Sequence, residues 1–359
     1  ADMKATGLLP SPKGVALRLI NLTRSENISQ SEILRVLMAD PALCGRLIKV
    51  ANSAWRVGGR PVASLTAPLT VLGLPAVKGL ALAFSLLSAY RNGVCSAFDY
   101  SEFWTRSLTS ALAARALAGN LGVANPEEMF ICGLVSRIGC LALATVYPKQ
   151  YSDLLSERIS KPDTPLVEME RDQLGIDHNE LTREMMLEWS MAKQLVIPTA
   201  NHEDPDACGA VKGSREYVLV NTMHLADFIS QLHLDSDLER RSALSDLFLL
   251  GARLTLESEF MIQCVDRVSE ESREWAPLLA IEPKHVTPLA EIALTPMQES
   301  GSPNDAPQAG DASSTLRVLI VESDPATAES LKKLIVAENH QVMLAHDDVE
   351  GMKLAVEFE

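Results

Sequence analysis

Ser136 and Arg137 form a polar pair inside the apolar run from Phe130 to Leu141. Small and apolar residues on nearly every face are typical of a helix buried among other helices. A guanidinium in such a place can hold a phosphate or a carboxylate through two parallel hydrogen bonds, but it has no lone pair to offer a metal. The chemistry open to this pair therefore decides how the whole chain is interpreted.

Arg106 is a second arginine, and it could face the same interior pocket as Arg137. It lies in a predicted helix that begins at a capping box, residues 99–102. Two facing arginines could bind the phosphates of a nucleotide second messenger. The alternative is an internal salt bridge with an acidic neighbour such as Glu102 or Glu128, and we favour the salt bridge.

Two histidines are the remaining candidates for a binding role. His178 follows Asp177 at a predicted helix start, where a capping or solvent-facing role is common. His202 lies at a polar helix end, where a histidine interacts favourably with the helix C-terminus. We favour structural roles for both.

Helices must position all of these side chains. Capping boxes at residues 29–32 and 99–102 mark helix starts, and no period-2 strand pattern of useful length occurs before residue 315. The pattern predicts a single all-α domain over residues 1–280. Its central helix is expected to start at the cap residue Asn125 and to end at Pro148.

Composition and charge exclude several classes of function. The chain is 47% hydrophobic but only 5% aromatic, which favours packed helices with cores of Leu, Ala, Val and Ile. A net charge of −15 argues against general nucleic-acid binding.

The most apolar run, residues 79–90, is shorter than the roughly 20 residues that span a bilayer, so we expect no membrane insertion. Six cysteines without a CxxC pair indicate a reduced, cytoplasmic setting.

The C-terminal part has a different character. Residues 281–315 are rich in Pro, Ser, Gly, Asp and Ala, which predicts a flexible linker. Residues 316–359 read as strand, helix, strand and helix, an order that implies a parallel α/β sheet. This segment is too short to close such a domain, so we predict only part of one.

Several short segments together resemble the HDOD domain, a divergent relative of the HD-type metal-dependent phosphohydrolases. They occur in the family's order across roughly residues 8–210: Leu9-Pro10-Ser11-Pro12, Asp40-Pro41-Ala42-Leu43, Lys49-Val50-Ala51-Asn52-Ser53-Ala54, Leu72-Gly73, Phe103-Trp104, Phe130-Ile131-Cys132-Gly133-Leu134, Ile138-Gly139, Gly175-Ile176-Asp177-His178 and Glu188-Trp189. The resemblance implies an HD-like helical bundle with a regulatory role in bacterial signalling.

The resemblance also implies that a metal site has been lost. In the catalytic relatives, a His after the Trp and a His-Asp pair in the central helix hold divalent metals. The corresponding positions here are Arg106 and Ser136-Arg137, while His178 and His202 match places where relatives often keep His. A divalent ion about 4 Å from one fixed guanidinium costs about 8 kcal/mol at an effective dielectric near 20. We therefore predict no catalytic residue, no metal and no cofactor at this vestigial pocket.

The tail carries a second resemblance. Residues 318–325 resemble the opening of a response-regulator receiver domain, in which an acidic pair after the first strand binds Mg²⁺. Glu322 matches the first acid, Ser323 replaces the second, and Asp324 is the remaining candidate. Mg²⁺ would be expected only in a complete receiver, and we expect the native protein to continue past Glu359.

These observations favour a non-catalytic signal-transduction module that acts through contacts with other signalling proteins and is coupled to a receiver. Two alternatives stay open. One is a metal-dependent phosphohydrolase of nucleotides or cyclic dinucleotides, and the other is a nucleotide-binding sensor that uses Arg106 and Arg137.

Overall fold

The computed structural model describes residues 9–11, 14–22, 29–54, 64, 66–162, 164–278, 281–294, 317–321, 332 and 341–345. The chain forms two compact units, Ala1–Thr295 and Pro296–Glu359. Within its described residues the first unit contains helices and connecting turns only, so the predicted all-α fold is confirmed.

The helices of the first unit follow one another with short connections. Up to residue 146 they are α1 (Gly14–Leu22), α2 (Gln30–Leu37), α3 (Pro41–Ala54), α4 (Thr66–Val71), α5 (Gly73–Ala89), α6 (Tyr100–Leu121), α7 (Pro126–Val135) and α8 (Ile138–Val146). Beyond it they are α9 (Pro148–Ser160), α10 (Leu166–Leu174), α11 (His178–Glu188), α12 (Lys193–Ala200), α13 (Arg215–Leu234), α14 (Asp237–Ser242), α15 (Leu244–Arg253), α16 (Ser258–Trp275) and α17 (Leu289–Leu294).

Helix α6 lies at the centre of this unit and packs against α7, α13 and α16. It begins where the Asp99 carboxylate accepts a hydrogen bond from the Glu102 backbone N–H, and it ends at Gly122 in the left-handed conformation. Gly133 of α7 lies so close to α6 that a Cβ there would be 2.6 Å from the Ser110 carbonyl oxygen. The small residues predicted to mark a buried helix therefore allow a close backbone approach.

The predicted continuous central helix is wrong in one respect, because it is broken at Ser136 and Arg137. The Ser136 hydroxyl donates to the Gly133 carbonyl at 2.9 Å, and Arg137 leaves the helical conformation with φ −107° and ψ 18°. A serine hydroxyl that bonds to the backbone competes with the helical pattern in this way. The stretch Pro126–Val146 is long and apolar enough to cross a membrane by composition, but 89% of its 18-residue apolar window is buried inside the protein.

The helical unit extends beyond residue 280, where the sequence pattern predicted the linker to start. Ile281, Leu289 and Ile292 are buried, and the backbone N–H groups of Leu289 and Ala290 both donate to the Asp266 carboxylate. Three apolar side chains and a carboxylate cap thus hold residues 281–294 against α16. Residues 295–315 of the predicted linker lie outside the described residues.

The second unit contains two strands within its described residues, β1 (Arg317–Val321) and β2 (Gln341–Ala345). They pair in parallel, with Val318 opposite Val342, as the predicted strand-helix-strand order requires. The acidic candidates Glu322 and Asp324 lie outside the described residues.

The contact between α8 and α11 predicts a strong effect of one methyl group. A Cβ on Gly139 would overlap the backbone carbonyl of His178, whereas a Cβ on the exposed Gly119 would meet only Pro126 at 3.8 Å. We expect Gly139→Ala to lower the free energy of unfolding by about 3 kcal/mol through overpacking. Gly119→Ala should raise it by up to about 1 kcal/mol, because glycine is a poor helix former. Urea denaturation of both variants checks the pair, and equal effects would contradict this packing.

The buried His233 predicts acid sensitivity. Burial, then Lys284 and Arg240, lower the pKa of His233 to about 4, below its ordinary value of 6.5. A group with a depressed folded-state pKa stabilises the fold above its unfolded pKa and loses that contribution as pH falls. Between pH 7 and pH 5 we expect a loss of about 2 kcal/mol from this histidine.

His233→Gln should therefore flatten the dependence of unfolding free energy on pH over this range, measured by urea denaturation. His285→Gln, at an exposed position, is the matched control and should leave that dependence unchanged. A His233→Gln protein as acid-sensitive as the wild type would contradict the prediction.

Candidate functional site

Four of the five predicted pocket residues lie together in the helical unit. Arg106 comes from α6, Arg137 from the break between α7 and α8, His178 from the first turn of α11, and His202 from the end of α12. Ser136 does not join them, since its hydroxyl is buried against Gly133.

The two arginines are held by carboxylates that the sequence analysis did not identify. Arg106 Nη2 lies 3.0 Å from Asp227 Oδ2, on α13. Arg137 Nη1 lies 2.5 Å from Glu203 Oε1 and 3.5 Å from Asp227 Oδ1. Both arginines form internal salt bridges, as the favoured interpretation predicted. The predicted partners were wrong, because the carboxylates are Asp227 and Glu203 and not Glu102 or Glu128.

The ionic contacts continue from Glu203 to His178, and from His178 to Glu170. His178 Nε2 lies 3.2 Å from Glu203 Oε2, and its Nδ1 lies 2.6 Å from Glu170 Oε2. Cationic and carboxylate groups therefore alternate along a single path, which we call the ion chain: Arg106, Asp227, Arg137, Glu203, His178 and Glu170.

His178 is fully buried, which corrects the expectation of a capping or solvent-facing role. Asp177 caps the helix instead, accepting from the Glu180 N–H at 2.9 Å. Burial disfavours the charged ring, but the Cys140 sulfur and the carboxylates of Glu203 and Glu170 outweigh it and hold the pKa of His178 well above its ordinary value. The imidazolium form is thus the natural link between two carboxylates.

His202 is also fully buried, and its Nδ1 lies 2.7 Å from the Thr199 carbonyl oxygen at the end of α12. The ring therefore lies at the helix end, as predicted, but its observed contact there is a hydrogen bond to a terminal carbonyl oxygen. Its Nε2 lies 3.8 Å from Asp227 Oδ1 and makes no hydrogen bond. Burial lowers the pKa of His202, because Asp227 and Glu203 only partly offset the loss of solvation.

Glu203 and Asp227 stay ionised. Burial alone would raise their pKa values, but Arg137 and His178 hold the pKa of Glu203 well below its ordinary range. Arg106 and Arg137 do the same for Asp227. Pairing is what allows buried carboxylates to keep their charge.

His202, Glu203 and Asp227 offer ligand atoms within 4.8 Å of one another, a set that could hold a divalent ion. The Arg137 guanidinium already contacts both carboxylates of the set. It supplies a fixed positive charge and has no lone pair, so it takes the place of a cation there. These residues do not fit a metal while Arg137 is present.

Sequence reasoning missed Glu170, Glu203 and Asp227. A signal was available for Asp227, which is the one acidic residue between Glu216 and Asp235 in a largely apolar helix. Glu203 adjoins His202 and could have been tested with it. Glu170 lies in a polar segment and carries no such signal.

Two cavities open on either side of Arg137. The first, about 610 Å³, is lined by Phe103, Arg106, Cys140 and Tyr151 among others. The second, about 820 Å³, is lined by four arginines and six acidic residues: Arg137, Arg158, Arg171, Arg183, Glu168, Asp177, Glu180, Glu184, Glu203 and Asp204. The acidic excess makes the second cavity unfavourable for an anion.

The position of Arg137 predicts both a loss of stability and a gain of metal binding. Arg137→Ala leaves Glu203 without its closest cation and Asp227 with Arg106 alone, which should lower the free energy of unfolding by about 3 kcal/mol or more. Mn²⁺, which suits carboxylate and imidazole ligands, should then raise the melting temperature of the variant but not of the wild type. Thermal unfolding with and without the ion measures both effects.

Arg158→Ala is the matched control, because Arg158 lines both cavities but is exposed. It should change stability by less than about 0.5 kcal/mol and give no response to Mn²⁺. An Arg137→Ala protein as stable as the wild type would show that the ion chain does not depend on this residue.

Comparison with known proteins shows which family the chain resembles. The HDOD domain family model matches residues 9–205. An HDOD domain protein with unknown function from Geobacter sulfurreducens is 20% identical with a TM-score of 0.57, and the match covers 77% of this chain and 95% of that one. A phosphohydrolase-like protein from Shewanella amazonensis is 22% identical with a TM-score of 0.59, covering 76% and 95% of the two chains.

The response regulator MmoQ from Methylococcus capsulatus is 30% identical with a TM-score of 0.45, over 71% of this chain and 97% of that one. Among curated proteins, none matches this chain. The family match covers more than half of the chain. The chain belongs to the HDOD domain family.

Proposed function

We propose that this chain is a non-catalytic signal-transduction module that acts by contacting other signalling proteins. The observation that carries the proposal is the placement of Arg137 Nη1 between the carboxylates of Glu203 and Asp227. An HD-type phosphohydrolase needs a divalent ion to activate water and to bind phosphate. Here a guanidinium satisfies the acidic groups that such an ion would need.

A nucleotide sensor built on Arg106 and Arg137 is less well supported. Both guanidinium groups already pair with carboxylates, so a phosphate would have to displace Asp227 or Glu203 from a partly buried position. Breaking a buried ion pair costs several kcal/mol. The larger cavity, which Arg137 lines but Arg106 does not, carries an acidic excess that opposes an anion there.

The second unit suggests how the module would be controlled. The parallel pairing of β1 with β2 supports the receiver resemblance of the tail. We propose that a complete receiver, with Mg²⁺ at its own acidic site, sets the state of the helical unit. Six free cysteines support a reduced, cytoplasmic setting for both.

The proposal is tested by incubating the purified chain with nucleoside triphosphates and cyclic dinucleotides in the presence of Mn²⁺, Fe²⁺ or Mg²⁺. Product chromatography should show no hydrolysis above the protein-free rate, while a metal-dependent phosphohydrolase in parallel reactions establishes that the conditions are competent. Turnover dependent on any of these ions, and abolished by Asp227→Asn, would overturn the proposal.

The proposed contact with other signalling proteins is tested by using the full chain as bait in a lysate of the source cell. A captured protein should form a stoichiometric complex when both purified components are mixed and run by size exclusion. Arg158→Ala should retain the complex if Arg158 lies outside the contact surface, and Gly139→Ala, which disturbs the fold, should weaken it.

A further inference from the structure

Cys140, Glu170 and His178 form a second cluster at the far end of the ion chain. They come from three different helices, α8, α10 and α11. The sulfur, a carboxylate oxygen and a ring nitrogen lie within 4.8 Å of one another, and all three residues are buried. Neither the proposed function nor the pairing of Arg106 and Arg137 involves Cys140.

The two nitrogens of His178 face different partners. Nδ1 lies 2.6 Å from Glu170 Oε2, and Nε2 lies 3.2 Å from Glu203 Oε2. A histidine that binds a metal commonly has its other nitrogen directed at a carboxylate, which fixes the ring. Glu203 provides that carboxylate here, and it leaves Nδ1 on the side of the cluster.

Two hydrogen bonds also fix the Glu170 carboxylate. The Tyr151 hydroxyl donates to Glu170 Oε1 at 2.8 Å, and the His178 backbone N–H donates to Oε2 at 2.8 Å. Gly139, next to Cys140, donates its backbone N–H to Thr182 on α11 at 3.0 Å. Hydrogen bonds thus hold the Glu170 carboxylate and the backbone next to Cys140 in place.

We propose that Cys140, Glu170 and His178 form a binding site for a zinc-class divalent ion, with a fourth position open to water. The mixture of one sulfur, one nitrogen and one oxygen ligand suits zinc, whereas Mg²⁺ and Ca²⁺ take oxygen ligands. Cys140 and Tyr151 line the 610 Å³ cavity, so this cavity reaches the sulfur side of the cluster. This site is separate from the His202, Glu203 and Asp227 set that Arg137 occupies.

Binding requires only a small movement. A tetrahedral ion with bonds of about 2.0–2.2 Å separates a nitrogen and an oxygen ligand by roughly 3.4 Å. His178 Nδ1 and Glu170 Oε2, now 2.6 Å apart, would move apart by less than about 1 Å. The ion would replace the proton that the two atoms now share.

The Cys140, Glu170 and His178 cluster also differs in its charge from the set of ligand atoms that Arg137 contacts. A thiol and an imidazole can release protons when a metal binds, so that thiolate and carboxylate balance the divalent ion. A guanidinium cannot release its proton. A metal bound here would crosslink α8, α10 and α11 without adding net charge to the interior.

The test uses the full chain, stripped with a chelator and dialysed, and Zn²⁺ or Co²⁺ alone as the probe. Competition with a chromophoric chelator should show one tightly bound Zn²⁺ per chain, and Co²⁺ should give a near-ultraviolet thiolate-to-cobalt charge-transfer band. Cys140→Ala should weaken Zn²⁺ binding by at least about 100-fold and abolish the band.

Cys132→Ala is the matched control, because it also removes a buried sulfur, from α7. It should leave both the affinity and the band unchanged. A wild-type chain without the cobalt band overturns the proposal whatever the variants do, and so does equal Zn²⁺ affinity of the Cys140→Ala and Cys132→Ala proteins. Neither outcome would bear on the hydrolysis test of the proposed function.

Discussion

Buried charge is the constraint on which this molecule's central pocket depends. Four ionisable side chains on helices and two in turns lie buried or partly buried in the bundle, and each is tolerable because its neighbour carries the opposite sign. Arg137 holds the middle of this series, with Glu203 on one side and Asp227 on the other. The break between α7 and α8 that places its side chain is therefore as important as the charges themselves.

The two ends of the ion chain differ in chemistry. At the Arg106 end, fixed guanidinium charges make the pairing permanent, since arginine does not lose its proton in proteins. At the Glu170 end, the cation is a histidine beside a thiol, and both can exchange a proton for a metal. The two ends therefore differ in whether their cation can give way to a metal ion.

The sequence was informative where local rules decide structure. The Asp99 and Ser29 caps mark helix starts that the structure shows, and apolar patterning identified the all-helical unit. The break at Ser136 was not predicted, because a serine mid-helix is compatible with either a continuous or an interrupted helix until its neighbours are known. The pairing of Arg106 with Asp227 joins residues 121 positions apart, a separation that no local pattern encodes.

Two glycines flank the turn that carries Arg137, and both make contacts too close for any larger residue: Gly133 with the backbone of α6, and Gly139 with the carbonyl of His178. Close backbone packing therefore fixes the chain on both sides of Arg137, independently of the ion pairs. Removing the arginine side chain should leave a lined void instead of a collapsed one. The Glu203 and Asp227 carboxylates that now contact Arg137 would line it, so a free guanidinium ion from solution could supply the missing group.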